Sequence, residues 1–131
     1  MKNLRKLLHP FLKSIHPRVY FQVAPENAQF PYLVYDFTQI TDDGEGFETV
    51  AVDVDGWDMP ENGDTTALET LMETVNGNGD AENPTGLNKK TLTAEGLAVT
   101  FYLDDKIPLR DDNKDIRRRK YIYEARLFGR S

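Results

Sequence analysis

The chain has 131 residues, 39% hydrophobic and 29% charged, with a formal net charge of −6 and a pI near 4.9. That length suits one domain, residues 1–131, around a single core, and the acidic balance disfavours general phosphate binding because the mean field repels polyanions. Having no cysteine removes disulfides, thiol nucleophiles and thiolate metal sites and fits folding in a reducing cytoplasm, and no apolar run reaches the roughly 20 residues that span a bilayer, so no membrane role is expected.

The N-terminal stretch M-K-N-L-R-K-L-L-H-P-F-L is basic and apolar in the manner of a signal peptide, but Lys13 and His16 interrupt it and no small-residue cleavage site follows. It reads as a helix that stays. Leu4, Leu7, Leu8, Phe11, Leu12 and Ile15 recur at steps of three and four, which makes one apolar stripe. Pro10 predicts a kink or restart, because its ring crowds the carbonyl of Lys6 and it lacks an N–H, and Pro17 closes the helix.

Strand alternation follows over 18–23, with Val19, Phe21 and Val23 on one side, and over 30–39, with Leu33, Tyr35 and Phe37 on one side. The turn T-D-D-G-E-G then folds the second strand back as a hairpin into F-E-T-V-A-V-D-V-D-G-W-D, residues 47–58. There Val50, Val52 and Val54 occupy every second position, the pattern of a half-buried strand that the rest of the chain covers or flanks. A second helix is expected from Thr65 to Val75, with a capping box from Thr66 to Glu69, a buried stripe of Leu68, Leu71, Met72 and Val75, and a stop at Asn76-Gly77.

Residues 76–95 are rich in Gly, Asn and Pro and read as a long exposed connection, with Leu87 and Leu92 anchoring a short turn. Strand alternation resumes over 96–103, an acidic loop is expected over 104–115, and 120–128 closes the chain as a strand. The order predicts an α+β fold, a two-layer sandwich in which a mostly antiparallel sheet of about five strands carries two helices on one face.

Recognisable catalytic chemistry is thin. Asp53, Asp55 and Asp58 invite a divalent cation, but a calcium-loop spacing fails because Trp57 and Asp58 fall at the fifth and sixth positions; the plainer reading is a solvated strand face. His9 and His16 each precede a proline and read as surface helix residues. Neither G-x-S-x-G nor a phosphate-cradling glycine loop occurs, so no catalytic residue, cofactor or metal ligand is assigned. The basic run Arg117, Arg118, Arg119, Lys120 follows the acidic D-D-N-K-D. One reading places it on nucleic-acid phosphates with Tyr121 and Tyr123 stacking on bases; the favoured one turns the tyrosines inward and makes this a surface for another copy or protein, the arginines partnered by the acidic loop. Trp57 reads as a core or sheet-edge aromatic, or as an interface anchor.

Four stretches in order resemble the tail-completion (tail terminator) and minor tail proteins of long-tailed bacteriophages: the leading helix ending near Pro17; R-V-Y-F-Q-V-A-P with F-P-Y-L-V-Y; V-A-V-D-V-D-G-W-D before a helix; and D-D-N-K-D-I-R-R-R-K-Y-I-Y-E-A-R-L. The resemblance implies a structural subunit of the virion tail, assembled in the host cytoplasm. Such a subunit forms a ring, a hexamer whose copies can stay monomeric until they meet a tube. It stacks on the last tail-tube ring and presents a surface to a head-proximal connector protein, while DNA passes through without specific binding. It implies no catalytic residues. Asp111, Asp112, Asp115, Arg117, Arg118 and Arg119 are the interface candidates by charge, with Trp57 as anchor, and residues 40–46, 77–95 and 104–119 the expected projecting loops. If Arg118 and Arg119 line the bore instead, they brake DNA. The alternatives are a head-to-tail connector subunit, a tail assembly chaperone, a small acidic adaptor or inhibitor of a host protein, and a hydrolase using Asp53, Asp55 and Asp58.

Overall fold

In the computed structural model, residues 1–42, 44 and 47–129 are described. Among them the chain forms two helices, α1 (Lys2–Ile15) and α2 (Thr66–Asn76), and six strands: β1 (Val19–Phe21), β2 (Tyr32–Asp42), β3 (Phe47–Asp58), β4 (Thr91–Ala94), β5 (Leu97–Arg110) and β6 (Arg117–Gly129). The order across the sheet is β1-β2-β3-β6-β5-β4, and every pairing is antiparallel except β1 with β2. The α+β class holds; the sheet has six strands rather than five.

The valine strand is central, as its alternation requires. β3 pairs with β2 on one side and with β6 on the other along its whole length, and Val50, Val52 and Val54 are fully buried. Leu33 and Tyr35 of β2, Val99 and Phe101 of β5, and Tyr121, Tyr123, Ala125 and Leu127 of β6 extend that buried face. Leu4, Leu8 and Leu12 of α1 and Leu68, Met72 and Val75 of α2 close over it. α2 lies on the central pair β3 and β6, whereas α1 touches both sheet edges, β1 and β4, as well as α2. The sheet is therefore curled around its helices rather than a flat layer beneath them, which follows from long twisted strands with bulges at Phe37/Gln39 and Leu103/Asp105.

Several local expectations need correction. α1 runs through Pro10 without restarting; Pro10 is exposed, so the hydrogen bond it forfeits lies on the wet side where solvent can serve the Lys6 carbonyl. The capping box does not form. Asp64 caps α2 instead, its Oδ1 accepting from the Thr66 N–H at 2.9 Å and the Thr66 hydroxyl at 2.6 Å, bonds that hold its carboxyl below the usual range. Most of the expected loop over 104–119 is strand, because Ile107 and Leu109 continue the alternation past the bulge that follows Leu103; only residues 111–116 connect β5 to β6.

Residues 77–95 are largely exposed, as expected, and Leu87 is the anchor the sequence suggests. Leu87 is fully buried and its N–H donates to the Val75 carbonyl at 2.7 Å, folding the connection back on the end of α2. The chain crosses itself there at Gly77 and Gly86: a Cβ on Gly86 would lie 2.4 Å from the backbone carbon of Asn76. β4 then forms as a four-residue edge strand. Of the expected turn over 41–46, Gly44 has φ +79°, while Asp43, Glu45 and Gly46 lie outside the described residues.

Candidate interaction surface

With the valines of β3 turned to the helices, the intervening residues Thr49, Ala51, Asp53, Asp55 and Trp57 belong to the opposite face. Register places them in rows across four strands: Tyr32, Trp57, Arg118 and Leu109; Val34, Asp55, Lys120 and Ile107; Asp36, Asp53, Ile122 and Asp105. Among the described residues, no helix covers this side.

The first row is an aromatic and cationic stack. Tyr32 and Trp57 lie with ring centroids 5.9 Å apart and planes 14° from parallel, and the Arg118 guanidinium sits 3.9 Å from the Trp57 ring centre. Arg118 Nη2 also reaches Asp55 Oδ2 at 3.5 Å, and Lys120 Nζ lies 3.4 Å from Asp53 and 3.9 Å from Asp55. These four charged side chains are 14–25% exposed, so Asp53 and Asp55 are not the solvated face that alternation alone suggests. Burial pushes the Asp55 carboxyl up, against the opposing pull of Lys120 and Arg118. Three polar atoms here, Asp55 Oδ1, Trp57 Nε1 and Arg118 Nε, are buried with no hydrogen-bond partner. A cleft of about 290 Å³ opens beside them under Gln22, Val23 and Ala24, and Val23 is 76% exposed.

The basic run therefore divides between faces. Arg118 and Lys120 serve the open side, whereas Arg119 Nε donates to Glu69 Oε1 of α2 at 2.6 Å and Arg117 donates to the Lys114 carbonyl beside Gly63. The carboxylates that partner Arg118 and Arg119 come from β3 and α2, not from the acidic loop. That loop is a self-closed turn: Asp111 accepts from the Asn113 N–H at 3.1 Å and Asn113 from the Asp115 N–H at 3.0 Å. Asp112 and Asp115 are exposed at its tip, and a cleft of about 410 Å³ runs between it and the strand ends, lined by Pro108, Leu109, Lys114, Arg117 and Arg119 among others. The seven interface candidates thus fall into three groups: Trp57 with Arg118; Asp111, Arg117 and Arg119 along that cleft; and Asp112 and Asp115 at the loop tip.

Other candidates separate. Tyr121 and Tyr123 are 5% and 0% exposed, so they offer no ring to a base; the Tyr123 hydroxyl donates to Asn76 Oδ1 at 2.8 Å and burial raises its pKa. Asp58 is buried on the helix side, away from Asp53 and Asp55, and no three His, Cys, Asp or Glu among the described residues converge as a metal site. The histidines are not surface residues but half-buried: His9 ties α1 to β2, and His16, just past the end of α1, ties it to the segment that enters β2. His9 Nδ1 shares a hydrogen bond with the Tyr35 hydroxyl at 2.9 Å, and His16 Nε2 donates to the Pro31 carbonyl at 2.8 Å. Burial, then Lys13 and Arg5, lowers the pKa of His9.

Sequence reading missed Tyr32 and the pairing of Lys120 with the aspartates. The signal was partial: Asp53 and Asp55 alternate on one strand, and a consecutive basic run on another places two of its cations, Arg118 and Lys120, on one face with the same period.

No family model matches the sequence, and no curated protein matches it. A solved structure does. The chain is similar to one in the structure entitled "Virion of native gene transfer agent (GTA) particle", at 16% identity and a TM-score of 0.65, over 96% of this chain and 95% of that one. At that identity the likeness is one of fold.

Proposed function

We propose that this protein is a structural component of a phage-like virion, and within it the tail terminator. The observation that carries this reading is the agreement of fold, nearly end to end, with a chain of a gene transfer agent virion. The order of the four tail-completion stretches supports the finer assignment. Subunits assemble as a hexameric ring on the last tail-tube ring, halt its growth, and offer the opposite side to a head-proximal connector protein. The uncovered sheet face suits protein contact: Trp57, Tyr32 and Arg118 are the residue types that anchor interfaces, and their unpartnered donors and acceptor give an approaching subunit something to satisfy. In a ring of net-negative subunits, DNA slides through the bore without adhering. The work is done by surfaces rather than by catalytic groups, in the virion tail.

Particles made without the protein test this. Electron micrographs are expected to show tails of irregular or excessive length, unattached to filled capsids. Uniform tails joined normally to heads would reject the assignment.

A further inference from the structure

The charges of this chain are sorted by position. Residues 1–18 hold five Lys or Arg and no Asp or Glu; residues 19–88 hold fifteen Asp or Glu and no Lys, Arg or His; residues 89–131 hold eleven Lys or Arg and seven Asp or Glu. The third block turns inward on the second: Arg118 meets Asp55, Lys120 meets Asp53 and Asp55, and Arg119 meets Glu69. The first block finds no such partner. Among the described residues, no cation of α1 lies within ion-pair distance of a carboxylate.

Lys2, Arg5 and Lys6 are exposed, and with His9 and Pro10 they border a shallow cleft of about 420 Å³. Their placement also opposes the helix itself. The first turn of α1 has no acidic residue, so three cations crowd the end where the backbone dipole is already positive. Arg5 lies over the Phe21 ring at 4.4 Å, but for Lys2 and Lys6 neither a carboxylate among the described residues nor helix electrostatics accounts for the charge; an external acidic surface does.

The same molecule carries exposed carboxylates in and beside α2. Glu61, Glu73 and Glu82, on α2 and its flanks, are exposed and make no ion pair among the described residues. Lys2 to Lys13 covers about 16 Å of helix and so does α2, at about 1.5 Å per residue. Two different, complementary patches on one subunit make a head-to-tail contact, the type that closes rings. Duplex DNA is the less fitting occupant, because the acidic block flanks α1 through α2 and repels phosphate.

We propose that the basic outer face of α1 docks on α2 and its exposed neighbours, at Glu61, Glu73 and Glu82, in a second copy of this chain. The proposal rests on the ring reading above and specifies its contact. It is tested by sedimentation velocity with and without tail-tube polymer, using Lys2→Glu/Lys6→Glu as one variant and Glu73→Lys/Glu82→Lys as the other, with circular dichroism showing that each is folded. Each variant alone is expected to associate about tenfold or more weakly than wild type. Mixed one to one, they are expected to recover to within about threefold, because every alternating contact again joins opposite charges. Should a charge-reversed chain not fold, Lys2→Gln/Lys6→Gln and Glu73→Gln/Glu82→Gln substitute, each expected to weaken association without recovery on mixing. Wild-type rings with variants unaffected, or no recovery in the reversed mixture, overturn the contact and leave the ring standing. A wild type that never self-associates, even on tube, overturns the ring reading itself. Retention of duplex DNA by wild type, lost in Lys2→Glu/Lys6→Glu while association is unchanged, assigns the face to phosphate and also overturns the contact.

Discussion

The two basic stretches of this chain look alike in sequence and behave oppositely in the fold. Arg117–Lys120 lies on a central strand, so consecutive side chains alternate between faces and three of the four meet a carboxylate of β3 or α2. Lys2, Arg5, Lys6 and Lys13 lie on an outer helix whose buried stripe is Leu4, Leu8 and Leu12, so their charges stay outside and none meets a carboxylate among the described residues; Arg5 lies over the Phe21 ring and Lys13 donates to the Pro17 carbonyl instead. A run of cations is thus read by the period of the element beneath it. On a strand between acidic neighbours it is internal glue, whereas on a surface helix it remains available to another molecule.

The largest effect that separates the two lies beneath the helix. Leu8→Ala removes a fully buried side chain from the face of α1 opposite its cations and is expected to cost about 2–5 kcal/mol in urea-unfolding stability. A loss under about 1 kcal/mol would mean that α1 is not packed as described. Next comes Lys120→Ala, which leaves Asp53 and Asp55 half-buried beside each other with Arg118 the one cation near them; about 1–3 kcal/mol should be lost by the same measurement.

Lys2→Glu should do the reverse. With a carboxylate near the positive end of α1 in place of a cation, the isolated subunit is expected to gain about 0.3–1 kcal/mol, even as self-association weakens. A charge that stabilises the subunit would have to lower Tm when reversed, and that result would erase the contrast between the two stretches.

The smallest effect is a dependence on pH. Burial raises the Asp55 carboxyl above its ordinary value of 3.8, so its protonated form favours the fold, and that contribution is complete below 3.8 and lost as pH rises through the folded-state value. Asp55→Asn cannot ionise. Its stability relative to wild type should therefore climb over that interval and then level off, as read from urea midpoints across a pH series. A flat or falling difference would show the ion pairs outweighing burial.

Much of the fold was legible because it rests on periodicity. The β3 boundaries, the stripes of both helices and the inward tyrosines of β6 all follow from alternation or from steps of three and four. What escaped was set at a distance in sequence. Strand β4 is four residues whose partner alone makes them a strand, and residues 104–110 look like a loop until the bulge after Leu103 restores their alternation. The fold-back of residues 77–87 depends on two glycines letting backbones cross, which neither glycine announces. At the surface, Trp57 and Arg118 were each visible singly. Their stacking, and the choice of Asp53, Asp55 and Glu69 over Asp111, Asp112 and Asp115 as partners of the basic run, required the register of β3 against β6 and the seat of α2 above it.

A tail terminator must halt a growing tube. The direct measurement is to add purified protein to polymerising tail-tube subunits and record tube lengths by electron microscopy. The distribution should shorten and narrow as the protein is raised, with a ring of density at one tube end. Tubes that keep the same length distribution at saturating protein, with bare ends, would contradict the terminator assignment.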